Sequence, residues 1–132
     1  MVGAALSAGF LTYQQRQRDK AARRSAFTAL AVEFLHVVIV GSEPKVLAFS
    51  PMPDTAYRQA LLHITTVSAL SQQKVTDAGL TISAYNASAA FFNTHTALDD
   101  TWEGRVAFLA RKARDQAYEA RDQLVSELDL PE

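Results

Sequence analysis

The chain has no cysteine, and only four prolines and five glycines in 132 residues. Without cysteine there is no disulfide, no thiolate nucleophile and no cysteine-ligated zinc or iron–sulfur centre. Excess positive charge is also lacking. The formal net charge is −1 and the pI about 6.3, so the global cationic field of a general nucleic-acid binder is excluded and any basic function has to be local. No segment alternates at period two over the length of a strand. No serine sits in a glycine-framed elbow, and there is no glycine-rich phosphate loop. The N-terminus lacks the basic leader and long apolar region of a secretory signal. Its apolar run Val2–Tyr13 falls short of the ~20 residues that a membrane span needs.

What is present is helical periodicity. The scarce helix breakers are grouped in Gly41-Ser42-Glu43-Pro44 and Ser50-Pro51-Met52-Pro53, which ends a first helix near Gly41, because proline offers the helix ladder no N–H and biases the residue before it away from helix. Asp54 is placed to cap a second helix running to about Thr76, with Gly79 as its stop or, alternatively, inside one bent helix that merges the second and third. Leu80 to Leu98 reads as the third. Asp99, Asp100 or Thr101 caps a fourth that continues to about Leu128.

The fourth segment carries one apolar stripe: Trp102, Val106, Leu109, Ala113, Ala117, Ala120, Leu124 and Leu128 recur at steps of three or four. The second offers Tyr57, Leu61, Ile64, Val67 and Leu70, and the third Leu80, Ala84, Ala87, Phe91 and Leu98, with Tyr85 and Phe92 beside them. Ala26–Val40 is apolar nearly all round, as a central helix would be. These stripes predict an all-α, antiparallel up-down-up-down four-helix bundle with long first and last helices. The bundle proper is expected over residues 25–130, with residues 1–24 as an apolar and basic helical extension.

The charge is segregated. Residues 14–24 hold Arg16, Arg18, Lys20, Arg23 and Arg24 against Asp19, net +4, whereas residues 115–132 hold six acids against Arg121, net −5. Antiparallel pairing of the first and last helices is expected to set these tracts side by side, where surface ion pairs worth ~0–1 kcal/mol each choose orientation more than they add stability. The same pairing is expected to bring the fourth helix's alanines opposite Gln17, Ala21 and Ala22. Small apolar residues, then Tyr13, then clustered arginine is also the order found where a spanning helix leaves the membrane on its cytoplasmic side. The order resembles that of small bacterial proteins tethered by one N-terminal helix. An anionic membrane surface is then a partner for the basic tract, at about 1 kcal/mol per basic residue. Nucleic acid is not expected, since no aromatic residue is interleaved among the arginines.

The candidate chemistry is confined to three histidines. His36, His63 and His95 are each flanked by apolar residues, and the bundle topology is expected to gather them near one end. Glu33 and His36 form E-x-x-H, which resembles half of the di-iron site of ferritin-like bundles. The chain has no second E-x-x-H and no glutamate inside the second or third segment, so the four-carboxylate set cannot be built. A three-histidine site for zinc or a similar divalent transition metal, with Glu33, is the alternative left. The leading expectation is a non-catalytic interaction or scaffold protein without a cofactor. It would be held at the inner face of the cytoplasmic membrane through Leu6, Phe10, Tyr13 and the five basic residues, and would associate with a protein partner or with itself.

Overall fold

A computed structural model describes residues 2–45, 48–95 and 100–131, with side chains from residue 9 onward. The helices are α1 (Val2–Ser42), the short α2 (Thr55–Ala60) continued by a 3-10 segment (Leu61–Thr66), α3 (Ala69–Thr94) and α4 (Asp100–Leu128). Leu98 and Asp99 lie outside the described residues, as does the side chain of Leu6.

Side-chain contacts fix the directions. Gly41 of α1 lies against Ala110 and Arg114, while Arg24 reaches the carbonyls of Leu128 and Asp129, so α1 and α4 run antiparallel. Ser71 contacts Glu127 near the start of α3, and Phe91 contacts Trp102 near its end, so α3 is antiparallel to α4 as well. Glu33 meets Ala56 and Arg23 meets Thr66, which sends the α2 and 3-10 leg back along α1. This is the up-down-up-down bundle with long first and last helices.

The core holds Phe27, Leu30, Phe34 and Val37 of α1, Val75, Ala78, Ile82 and Tyr85 of α3, and Val106, Ala110, Ala113, Ala117, Ala120 and Leu124 of α4. Each fully buried large apolar side chain contributes roughly 1.5–3 kcal/mol. The alanine run makes α4 thin in its middle, so that α1 and α3 both pack along it.

Several expectations are corrected. The second helix does not run to Thr76: it breaks at Val67, and Ser68 caps α3 by accepting from the Ser71 N–H at 3.2 Å. Gly79 is therefore inside α3, where the Tyr57 ring occupies the space that a Cβ would take. The alanines of α4 face the Leu30–Gly41 part of α1, because α4 ends beside Arg24. Finally, the stripe Leu80, Ala84, Ala87, Phe91 faces outward, with Leu80 63% exposed, while the opposite face of α3 is buried. Nor is α1 enclosed all round, since Val32, Leu35 and Ile39 are exposed.

The connector after α1 is strapped across α3 by two asparagines seven residues apart. Asn86 accepts from the Met52 N–H at 2.8 Å and donates to the Met52 carbonyl at 2.9 Å. Asn93 does the same to Phe49, at 3.0 and 2.9 Å. Each amide thus imitates one rung of a β-ladder. Between them the Tyr85 hydroxyl donates to the Ser50 carbonyl at 2.6 Å, and burial pushes its pKa up to about 12. Phe49 and Met52 are thereby held in the core.

Candidate functional site

The structure does not bring the three histidines together. His36 is exposed on α1, beside an open groove shared with Ala29, Glu33, Pro53 and Gln59. His63, in the 3-10 segment, lines a recess with Ala22, Ala26 and Leu62, which places it about ten α1 residues, about 15 Å, from His36. His95 ends α3 at the opposite pole, its ring stacked on Phe91 at 3.9 Å and its Nδ1 2.7 Å from the Phe91 carbonyl oxygen. Among the described residues no group of three or more His, Asp and Glu side chains is placed to hold a metal ion.

Glu33 has another occupation. It is 8% exposed, and its two oxygens accept from the backbone N–H groups of Ala56 and Tyr57 at 2.9 and 2.8 Å. Those are first-turn donors of α2, which has no acid in its first turn and no cap bond from the Asp54 side chain. Glu33 thus caps α2 from a neighbouring helix, with both oxygens engaged. The sequence signal was a lone acid inside an otherwise apolar helix; that the Asp54 carboxylate pairs with Arg58 instead of capping α2 was not legible there.

The other candidate residues sit where α1 leaves the bundle. From residue 20 back, α1 extends past the end of α4 as continuous helix, and Phe10, Leu11 and Tyr13 are each about 60% exposed. Arg16, Arg18 and Lys20 are exposed on the same projecting stem. Arg23 and Arg24 instead close the bundle: Arg24 donates to the Leu128 and Asp129 carbonyls at 3.1 and 3.0 Å, and Arg23 to the Thr66 carbonyl at 3.3 Å. A guanidinium on the last carbonyls of α4 complements the negative end of that helix. Among the described residues no ion pair joins the two oppositely charged tracts. Most of the basic tract lies too far along α1 to face the acidic one, and the two approach only at Arg23, beside Glu127, and at Arg24, on the Asp129 carbonyl.

Glu127 ties this end together. It accepts from the Ser68 N–H at 3.0 Å and the Ser71 hydroxyl at 2.8 Å. Burial opposes its ionisation, but the hydrogen bonds from Ser68 and Ser71 and the charge of Arg23 outweigh that and hold its pKa below the ordinary carboxylate value. A carboxyl whose pKa is lowered by folding adds stability that is present above its unfolded pKa and is lost as pH falls through the folded one. Glu127→Gln is therefore expected to destabilise at neutral pH, with the gap from wild type closing as the solution is acidified past the carboxylate range. Urea denaturation of both proteins across that range measures it, and a gap constant with pH would refute it.

The segment Gly9–Ser42 is long and apolar enough to cross a membrane by length and composition, a test that the core helix of a soluble protein or a signal sequence also passes. Compared with protein-family models, characterised proteins and solved structures, the chain matches none.

Proposed function

We propose that the protein is a non-catalytic helical-bundle interaction protein, held at the cytoplasmic face of a membrane by the start of α1. The observation that carries this reading is the projecting stem: an unbroken helix whose apolar turns stand clear of the bundle and are followed directly by Arg16, Arg18 and Lys20. Large apolar side chains ordered in water without a partner are costly. Residues 2–13 reach about 18 Å along a helix axis, more than half of a ~30 Å hydrocarbon core. The basic residues that follow then stand at the headgroups. Leu6 belongs to the same apolar run in the sequence.

The exposed stripe of α1 (Val32, Leu35, Ile39) and that of α3 (Leu80, Ala84, Ala87, Phe91) give the tethered bundle two apolar faces for a protein partner or a second copy. Vesicle sedimentation tests the tether. The full chain is expected to pellet with mixed phosphatidylcholine and phosphatidylglycerol vesicles and to remain bound in part at high salt, because the apolar contribution is not screened. Deleting residues 2–13 is expected to release it. A full chain that stays in the supernatant would refute the tether.

A further inference from the structure

The five basic residues are not equivalent. Arg16 and Arg18 stand on the exposed stem, but Lys20, Arg23 and Arg24 fall with Phe27 at i, i+3, i+4 and i+7, on one face of α1. That face and the chain's return through Leu128 and Leu130 enclose a recess of about 220 Å³. Its walls are cationic, while Phe27 and Leu130 in its lining are buried and apolar. We infer that this recess binds a phosphate group bearing apolar substituents, as the headgroup of an anionic phosphoglyceride presents one.

The size of the recess decides against larger ligands. Pockets for drug-sized molecules and cofactors run to roughly 300–1,000 Å³, so this one suits a phosphate and the first carbons attached to it. Its donors are positioned in advance. Arg24 is pinned by the two carbonyls of the chain's return, and Arg23 by Thr66. The Arg23 Nε is buried and has no hydrogen-bond partner among the described residues. A buried donor left unmatched is costly, and the residue that carries it is part of the recess lining. Lys20 forms no ion pair among the described residues, and the nearby Glu127 is already engaged by Ser68 and Ser71. Guanidinium forks suit phosphate oxygens, and the apolar lining favours an esterified phosphate over the free ion.

The inference rests on the tether proposed above, which brings headgroups to this end of the bundle. Its test is separate. The full chain in uncharged detergent micelles is titrated with dihexanoyl phosphatidylglycerol, with dihexanoyl phosphatidylcholine and with inorganic phosphate. The Arg23 Nε–H and Leu130 amide resonances are followed. The anionic lipid is expected to shift both, with an affinity about tenfold above that for the other two, as one added charge-assisted contact would give. Lys20→Glu is expected to weaken it about tenfold, whereas Arg16→Glu, the same charge change on the open stem, leaves it nearly unchanged. Equal losses from the two substitutions would mean diffuse attraction and overturn the site. Inorganic phosphate binding as well as the lipid would overturn the lipid assignment. Failure of the chain to pellet with vesicles removes the tether alone, because the micelle titration still reads the recess.

Discussion

Gly79→Ala is expected to destabilise the protein by about 2 kcal/mol, although alanine is the better helix former. Gly79 lies in the middle of α3, where glycine alone costs about 0.5–1 kcal/mol relative to alanine, and in open space the substitution would stabilise. Here the new methyl would fall on the Tyr57 ring, which lies against the α3 backbone at this point. Tyr57 cannot withdraw freely. It is half-buried against the core, and its N–H is held by Glu33. The ring must therefore swing out, losing its apolar burial, or the α2 leg must lift from α3. Gly104 serves as the control, since a Cβ there would meet nothing. Gly104→Ala is expected to be neutral or mildly stabilising in the same urea titration. Truncating the ring should suppress the effect, so Tyr57→Ala and Gly79→Ala together are expected to cost clearly less than the sum of the two alone. A Gly79→Ala protein as stable as the wild type would place the Tyr57 ring elsewhere.

This contact also shows where the sequence misleads. Glycine just beyond an apolar stretch reads as a helix stop, and Gly79 fits that pattern, yet its use is to seat a ring from another helix. The true break, between the 3-10 segment and α3, carries a weaker signal: Thr65, Thr66 and Val67, β-branched residues that favour helix less, followed by the capping Ser68. The fourth helix was legible because its two faces differ. Acids and bases crowd one side, and of its stripe Val106, Ala113, Ala117, Ala120 and Leu124 are buried, with Ala110 rather than Leu109 filling the remaining place. The third has apolar residues on both sides, so counting hydrophobic positions picks Leu80, Ala84, Ala87 and Phe91, which face out. The other side, Val75, Ala78, Ile82, Tyr85 and Ala89, has the same three-and-four spacing and is the one buried, while Asn86 and Asn93, a heptad apart, add the 49–52 connector to it through bonds that no count of apolar residues registers.

The basic tract was recognised for its charge, but its register was not. Complementary charge predicts adjacency, whereas the position of α1 along α4 is set by large side chains and by the close approach at Gly41. There a Cβ would stand 2.6 Å from the Arg114 Cβ and 2.8 Å from the Ala110 carbonyl oxygen. Packing of that kind outweighs screened surface pairs worth ~0–1 kcal/mol. The stem is thereby left clear of the bundle, and the arginines divide into an exposed pair and a set that walls a recess.

Glu33→Ala is expected to cost about 3 kcal/mol, the largest loss from any single carboxylate in the chain. Hydrogen bonds to an ionised group are each worth about 1.5–3 kcal/mol, and their removal leaves the Ala56 and Tyr57 N–H groups without an acceptor at a part-buried helix start. Glu33→Gln separates charge from geometry. The amide keeps one acceptor oxygen but turns an NH₂ toward the second backbone donor, so about half of the loss is expected. The experiment also distinguishes a cap from the metal ligand that the E-x-x-H spacing suggests. A ligand contributes nothing to stability when metal is removed, whereas a cap contributes fully. Urea denaturation of wild type and both variants in excess chelator is therefore decisive. Loss ordered Ala beyond Gln beyond wild type identifies the cap, and three coincident curves would return Glu33 to metal chemistry. The cap also bears on function through Tyr57. If α2 frays, the Tyr57 ring leaves its seat on Gly79 and Arg23 loses Thr66 as an anchor, so Glu33→Ala should also weaken the basic recess, a coupling carried along the α2 leg rather than through charge.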